Sequence, residues 1–101
     1  MDRSKQIIII ENLVEDYISK NKSMIPFHIF ANEQSLRHVK EIGVSILCTK
    51  WKIGYEGGSF VRNFVNNKLS ESFNTADYII RDSMYFLNML NNNVILPSEL
   101  T

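Results

Sequence analysis

A small all-α domain is the fold class this sequence predicts, and three observations predict it. Apolar residues recur at three- and four-residue spacing in four segments, the spacing that gathers side chains on one side of a helix. Residues suited to capping stand before three of them, at Asn32, Ser59 and Asn74. Between the segments lie breaks at Asn21 to Ser23, at Pro26 and at Gly57-Gly58. The predicted helices span 4–20, 33–49, 59–70 and 75–91, with an extended plug at 24–30. The alternative is an α+β fold with a small hairpin at 44–55.

In the first helix Ile7, Ile10, Leu13, Val14 and Tyr17 form one stripe, and Glu11, Asn12, Glu15 and Asp16 fill the other side. Ile8 and Ile9 fall off the stripe, and Ile8 is a candidate contact with a second chain. Pro26 stops helix continuation and pushes Ile25 toward an extended conformation. Phe27, Ile29 and Phe30 are expected to plug the bundle. His28 among them reads as structural, because no His or Cys stands at ligand spacing from it.

In the second helix Leu36, Val39, Gly43 and Leu47 share a face, with Ile46 at its edge and Arg37, His38, Glu41 and Ser45 outward. Gly43 costs a helix about 1 kcal/mol relative to alanine. Either a neighbour packs closely there or the helix ends early. In the second case Val44, Ile46, Trp51, Ile53 and Tyr55 suit the hairpin.

The stretch from Gly57 to Asn93 holds two clear helix starts and most of the large apolar side chains. Ser59 is placed to cap a helix whose Phe60, Val61, Phe64, Val65 and Leu69 face the core. In the last helix Ala76, Ile79, Ile80, Ser83, Leu87 and Leu90 share one face, while Tyr78, Tyr85 and Met89 lie opposite with Arg81 between them. Both faces are partly apolar. This helix is therefore expected either to sit at the centre of the fold or to present a Tyr/Met stripe to a partner. The tail from Val94 to Pro97 should fold back before the chain frays.

The run Gly58, Phe60, Val61, Phe64, Asn67, Leu69, then Ala76-Asp77, then Phe86-Leu87-Asn88 resembles a pattern in short phage- and prophage-encoded proteins of unassigned function. The resemblance covers about residues 57–93. It departs at Lys68, where the pattern has an acidic residue, and in lacking a tryptophan-containing tail. It implies a mobile-element origin and carries no catalytic residue across.

A chain of 101 residues, 45% of them hydrophobic, supports one domain with one core. Eleven basic and eleven acidic side chains leave no net charge to draw it onto nucleic acid or an anionic membrane. Cys48 stands alone, so no intramolecular disulfide forms, and a reducing compartment fits. Ile7 to Ile10 is too short for a signal peptide, and no run reaches the ~20 residues that span a bilayer. A cytoplasmic location follows as an expectation.

No nucleophile–base set and no metal-ligand spacing stands out. Gly57-Gly58-Ser59 ahead of a helix, with Lys50, Lys52 and Arg62, is a candidate anion site, although the turn lacks the length and lysine of a P-loop. Between Arg37 and Lys68 six basic residues stand against Glu41 and Glu56. No enzyme activity and no cofactor are expected. The expected function is a non-enzymatic phage-type interaction protein that binds and antagonises a host protein or complex, such as an anti-defence or anti-CRISPR inhibitor. Its expected partner-binding residues are Tyr78, Arg81, Tyr85, Met89, Trp51 and Tyr55, and a homodimer is expected. The alternatives are nucleotide sequestration at the Gly57 turn and nucleic-acid binding on the basic and aromatic patch at 50–62, without membrane association.

Overall fold

Helix after helix, the chain wraps around one long central element. The computed structural model describes residues 2–66, 68 and 77–101. Among these residues it is all-α, with no strand. The elements are α1 (Arg3–Lys20), α2 (Phe27–Phe30), α3 (Glu33–Trp51), α4 (Ser59–Val65), α5 (Tyr78–Asp82) and α6 (Met84–Asn93). Short 3-10 turns occupy Lys22–Met24 and Ser98–Leu100.

The central element is α3, which packs against α1, α2, α4, α5 and α6. The last helix, for which that place was one of two expectations, packs at its side. The reason lies in the width of the apolar face: Val39, Gly43, Val44, Ile46, Leu47 and Cys48 of α3 are all buried, more than one stripe can hold. Asn32 caps α3 as expected, its Oδ1 accepting the Ser35 amide at 3.0 Å. The helix does not end at Gly43. A Cβ there would lie 3.0 Å from Leu90 Cδ2 and 3.2 Å from Val14 Cγ1, so side chains of α1 and α6 press directly on α3 at this glycine. With Val44 to Trp51 helical, the hairpin at 44–55 is excluded.

Asp2 caps α1 by accepting the Lys5 amide at 2.9 Å, and Ile10, Val14 and Ile18 face the core. The plug at 24–30 needs correcting. Ile25 is extended and buried, but after Pro26 the chain coils into α2, with the Ile29 and Phe30 amides both donating to the Pro26 carbonyl at 3.0 Å. A proline that stops one helix is well placed to start the next. Because a helix turns ~100° per residue, four residues cannot all point inward: Ile29 is buried, Phe30 half-buried, and Phe27 stands 83% exposed.

At α4 the cap is Gly58 rather than Ser59, which is the first helical residue. The Gly57 amide donates to Thr49 Oγ1 at 2.8 Å, and Arg62 N closes the first turn on Gly58 O at 3.0 Å. Val61 and Phe64 are buried as expected. The helix does not run to 70 as expected: it ends at Val65, where Asn66 leaves helical geometry and its amide returns to Arg62 O. Leu69, the Asn74 cap and Ala76 lie outside the described residues.

The last helix is two helices. Asp77 caps α5, accepting the Ile80 amide at 2.9 Å. At Ser83 the backbone leaves helical geometry, with φ −102° and ψ 6°, and its amide is shared between Ile79 O and Ile80 O. Tightening of that turn offsets α6 from α5. Ser83 Oγ is buried there and has no hydrogen-bond partner among the described residues. Phe86, Leu87 and Leu90 then face the core, with the Phe86 ring centroid 5.7 Å from Tyr17. After Pro97 the tail forms a 3-10 turn whose Leu100 joins the core at 8% exposure, although Ile95 is 84% exposed.

Asp77 also sets a pH dependence. Partial burial alone would raise its carboxyl, but the Ile80 amide, then His38, then the Ile79 amide outweigh it and hold it below its ordinary value. A carboxyl depressed on folding adds stability that is present above its unfolded pKa and lost as pH falls through the folded value. Asp77→Asn is therefore expected to flatten the acid side of the stability–pH curve, as read from melting temperatures across that range. A curve parallel to the parent's would refute the assignment.

Candidate functional site

Two surfaces collect the residues that the sequence marks for function. The first is the outer face of α5 and α6. Tyr78 and Tyr85 are 66% and 64% exposed, Arg81 is exposed between them, and Met89 is half-buried one turn on. Positions 78 and 81 share a side of α5, and 85 and 89 a side of α6. The core takes the opposite side through Ile80, Leu87 and Leu90.

Both histidines tie this face to the rest of the fold. His28 Nε2 lies 2.9 Å from Asp82 Oδ2, and His38 Nε2 lies 2.8 Å from Asp77 Oδ2. The two ends of the five-residue α5 are thus fastened, one to α2 and one to α3. The first tie brings α2 to the C-terminal end of α5. Neither partnership has a sequence signal, since the pairs are 54 and 39 residues apart.

The second surface is a cleft of about 530 Å³ between the C-terminal end of α3, the loop after it and α4. Lys50, Lys52, Tyr55, Glu56, Arg62 and Val65 are among its walls. Its rim depends on two left-handed residues: Lys52 ends α3 at φ 56°, ψ 43°, and Gly54 follows at φ 79°. The Ile53 amide returns to Cys48 O at 3.0 Å and closes the helix. Tyr55 is half-buried, its hydroxyl 3.1 Å from Ser45 Oγ.

The cationic residues of the expected anion site therefore meet, but not at the Gly57 turn. Gly57, Gly58 and Ser59 are not among the cleft's walls, and the Gly57 amide is already taken by Thr49. A Cβ on Gly57 would lie 2.7 Å from Val61 Cβ, so close packing accounts for this glycine. Lys50 Nζ donates to the Asn91 carbonyl, linking α3 to α6. Trp51 is half-buried against the core at the end of α3, and Tyr55 belongs to the cleft. Neither lies on the α5–α6 face. Cys48 is fully buried, and that burial pushes its thiol up, with the Tyr55 amide and Arg3 opposing and Glu11 adding to it.

Among the described residues no group of three or more His, Cys, Asp or Glu side chains is placed to hold a metal ion. No helix among them is long and apolar enough to cross a membrane. Comparison of the chain with known protein families, with characterised proteins and with solved structures returns no match.

Proposed function

We propose that this chain works by binding another protein through the α5–α6 face, as a non-enzymatic phage-type protein that engages and antagonises a host protein or complex. An anti-defence inhibitor, including an anti-CRISPR one, is the form of this reading that a mobile-element origin favours. The observation that carries it is the pair Tyr78 and Tyr85, about two-thirds exposed on a face whose opposite side is core. Tyrosines supply large rigid contact area at low entropic cost and are enriched at interface hot spots. Arg81 stands between them in the sequence and is exposed.

The same face is available to a second copy of the chain, and a two-fold dimer would use one patch twice. Tyr85→Glu places a carboxylate in the contact, which is costly without a counter-charge. The variant is expected to keep the parent's melting curve while losing both dimerisation in sedimentation and stoichiometric capture of a host protein. A parent that sediments as a monomer at high concentration removes the dimer and leaves the host contact standing. Capture unchanged in Tyr85→Glu would move the partner surface elsewhere.

A further inference from the structure

The cleft beside α4 has a composition that protein–protein contact does not explain. Its volume, about 530 Å³, falls in the range of small-ligand pockets. Three cationic side chains, Lys50, Lys52 and Arg62, line it against one carboxylate, Glu56, in a chain whose charges otherwise cancel. Lys50 is engaged with the Asn91 carbonyl. Among the described residues, by contrast, Lys52 and Arg62 enter no side-chain hydrogen bond or ion pair. Ile53, Tyr55 and Val65 are among the residues that line the cleft with them.

The backbone adds an independent observation. Lys52 is the one non-glycine residue at positive φ among the described residues. Left-handed helix ends are ordinarily glycine, because a Cβ there crowds the following carbonyl. Here the chain carries a long cation at the strained position and so holds its stem at the mouth of the cleft. The left-handed residue closes α3, with the Ile53 amide on Cys48 O, and the same turn puts Lys52 among the walls of the cleft.

We propose that this cleft binds a nucleoside phosphate. Lys52 and Arg62 attract the phosphate, Arg62 with the planar fork that suits it. Tyr55 and Val65 offer an apolar wall for the base, and Glu56 is an acceptor for a sugar hydroxyl. This site lies apart from the α5–α6 face, so it stands or falls separately from partner binding.

The test is a calorimetric titration with AMP, with inorganic phosphate and with a twelve-nucleotide oligothymidylate, on the parent and on Lys52→Gly and Arg62→Ala. AMP is expected to bind saturably and at least tenfold more tightly than inorganic phosphate. Each substitution is expected to weaken AMP about tenfold or more, the scale of one charge-assisted contact. Lys52→Gly should at the same time melt ~4 °C higher, since it relieves the left-handed strain. A loss of binding in a more stable protein cannot be a folding defect. No saturable AMP binding, AMP no tighter than phosphate, parental affinity in either variant, or Lys52→Gly melting below the parent would each overturn the proposal. So would oligothymidylate binding more tightly than AMP, which would make the cleft part of a single-strand nucleic-acid surface.

Discussion

Phe64→Ala is expected to destabilise the domain by ~3–5 kcal/mol, a large share of the ~5–15 kcal/mol that domains of this size possess. Phe64 is only 1% exposed, and it is the largest buried side chain of α4. That helix has seven residues, too few to persist without tertiary packing, and it packs on α3. Its anchors are Val61 and Phe64, the latter with the Phe60 ring centroid 5.7 Å away. Truncating Phe64 leaves a cavity against α3 and removes a ring contact. Chemical denaturation should show a lower midpoint with an unchanged slope. Arg62 and Val65 flank Phe64 and wall the cleft, so ligand binding should weaken with it. A midpoint equal to the parent's would mean that the α4 register is not the one described.

The sequence carried the local part of this fold well. The second predicted helix began at the correct residue because Asn32 and the periodicity agree, and the third because two glycines break the chain before it. Both ends of the first lay within one residue of 4–20. What stayed hidden depended on contacts far apart in the chain. The choice between a close neighbour and a helix end at Gly43 turns on Val14 and Leu90, 29 and 47 positions away. No window around position 43 contains that information.

The break at Ser83 was hidden for a different reason. Ser83 fits the apolar stripe of a continuous helix, and serine within a helix is unremarkable by propensity. Only the ties from His28 and His38 show that α5 is held as a unit of its own. For the candidate site, composition identified Lys50, Lys52 and Arg62 as a set and Tyr78 and Tyr85 as outward. It could not show that the Gly57 amide is taken by the Thr49 hydroxyl, which stands on another element.

Gly43→Leu is expected to cost about 3 kcal/mol, at the upper end of the range for overpacking a core. A Cβ alone would approach Leu90 Cδ2 to 3.0 Å and Val14 Cγ1 to 3.2 Å, so the two closest neighbours are branched tips from α6 and α1. Both residues are fully buried, which leaves them little room to turn away. Three further carbons of leucine would have to push α1 or α6 outward, and α3 is the element on which both rest. Gly43→Ala separates the two effects present at this position. Alanine gains ~1 kcal/mol of helix propensity over glycine, and its single methyl requires a shift of only a few tenths of an ångström. The two should nearly cancel, leaving alanine within ~1 kcal/mol of the parent while leucine falls far below it. Thermal melting of the pair measures this directly. If leucine were tolerated as well as alanine, α1, α3 and α6 would not converge at Gly43, and α3 would lose its place at the centre of the fold.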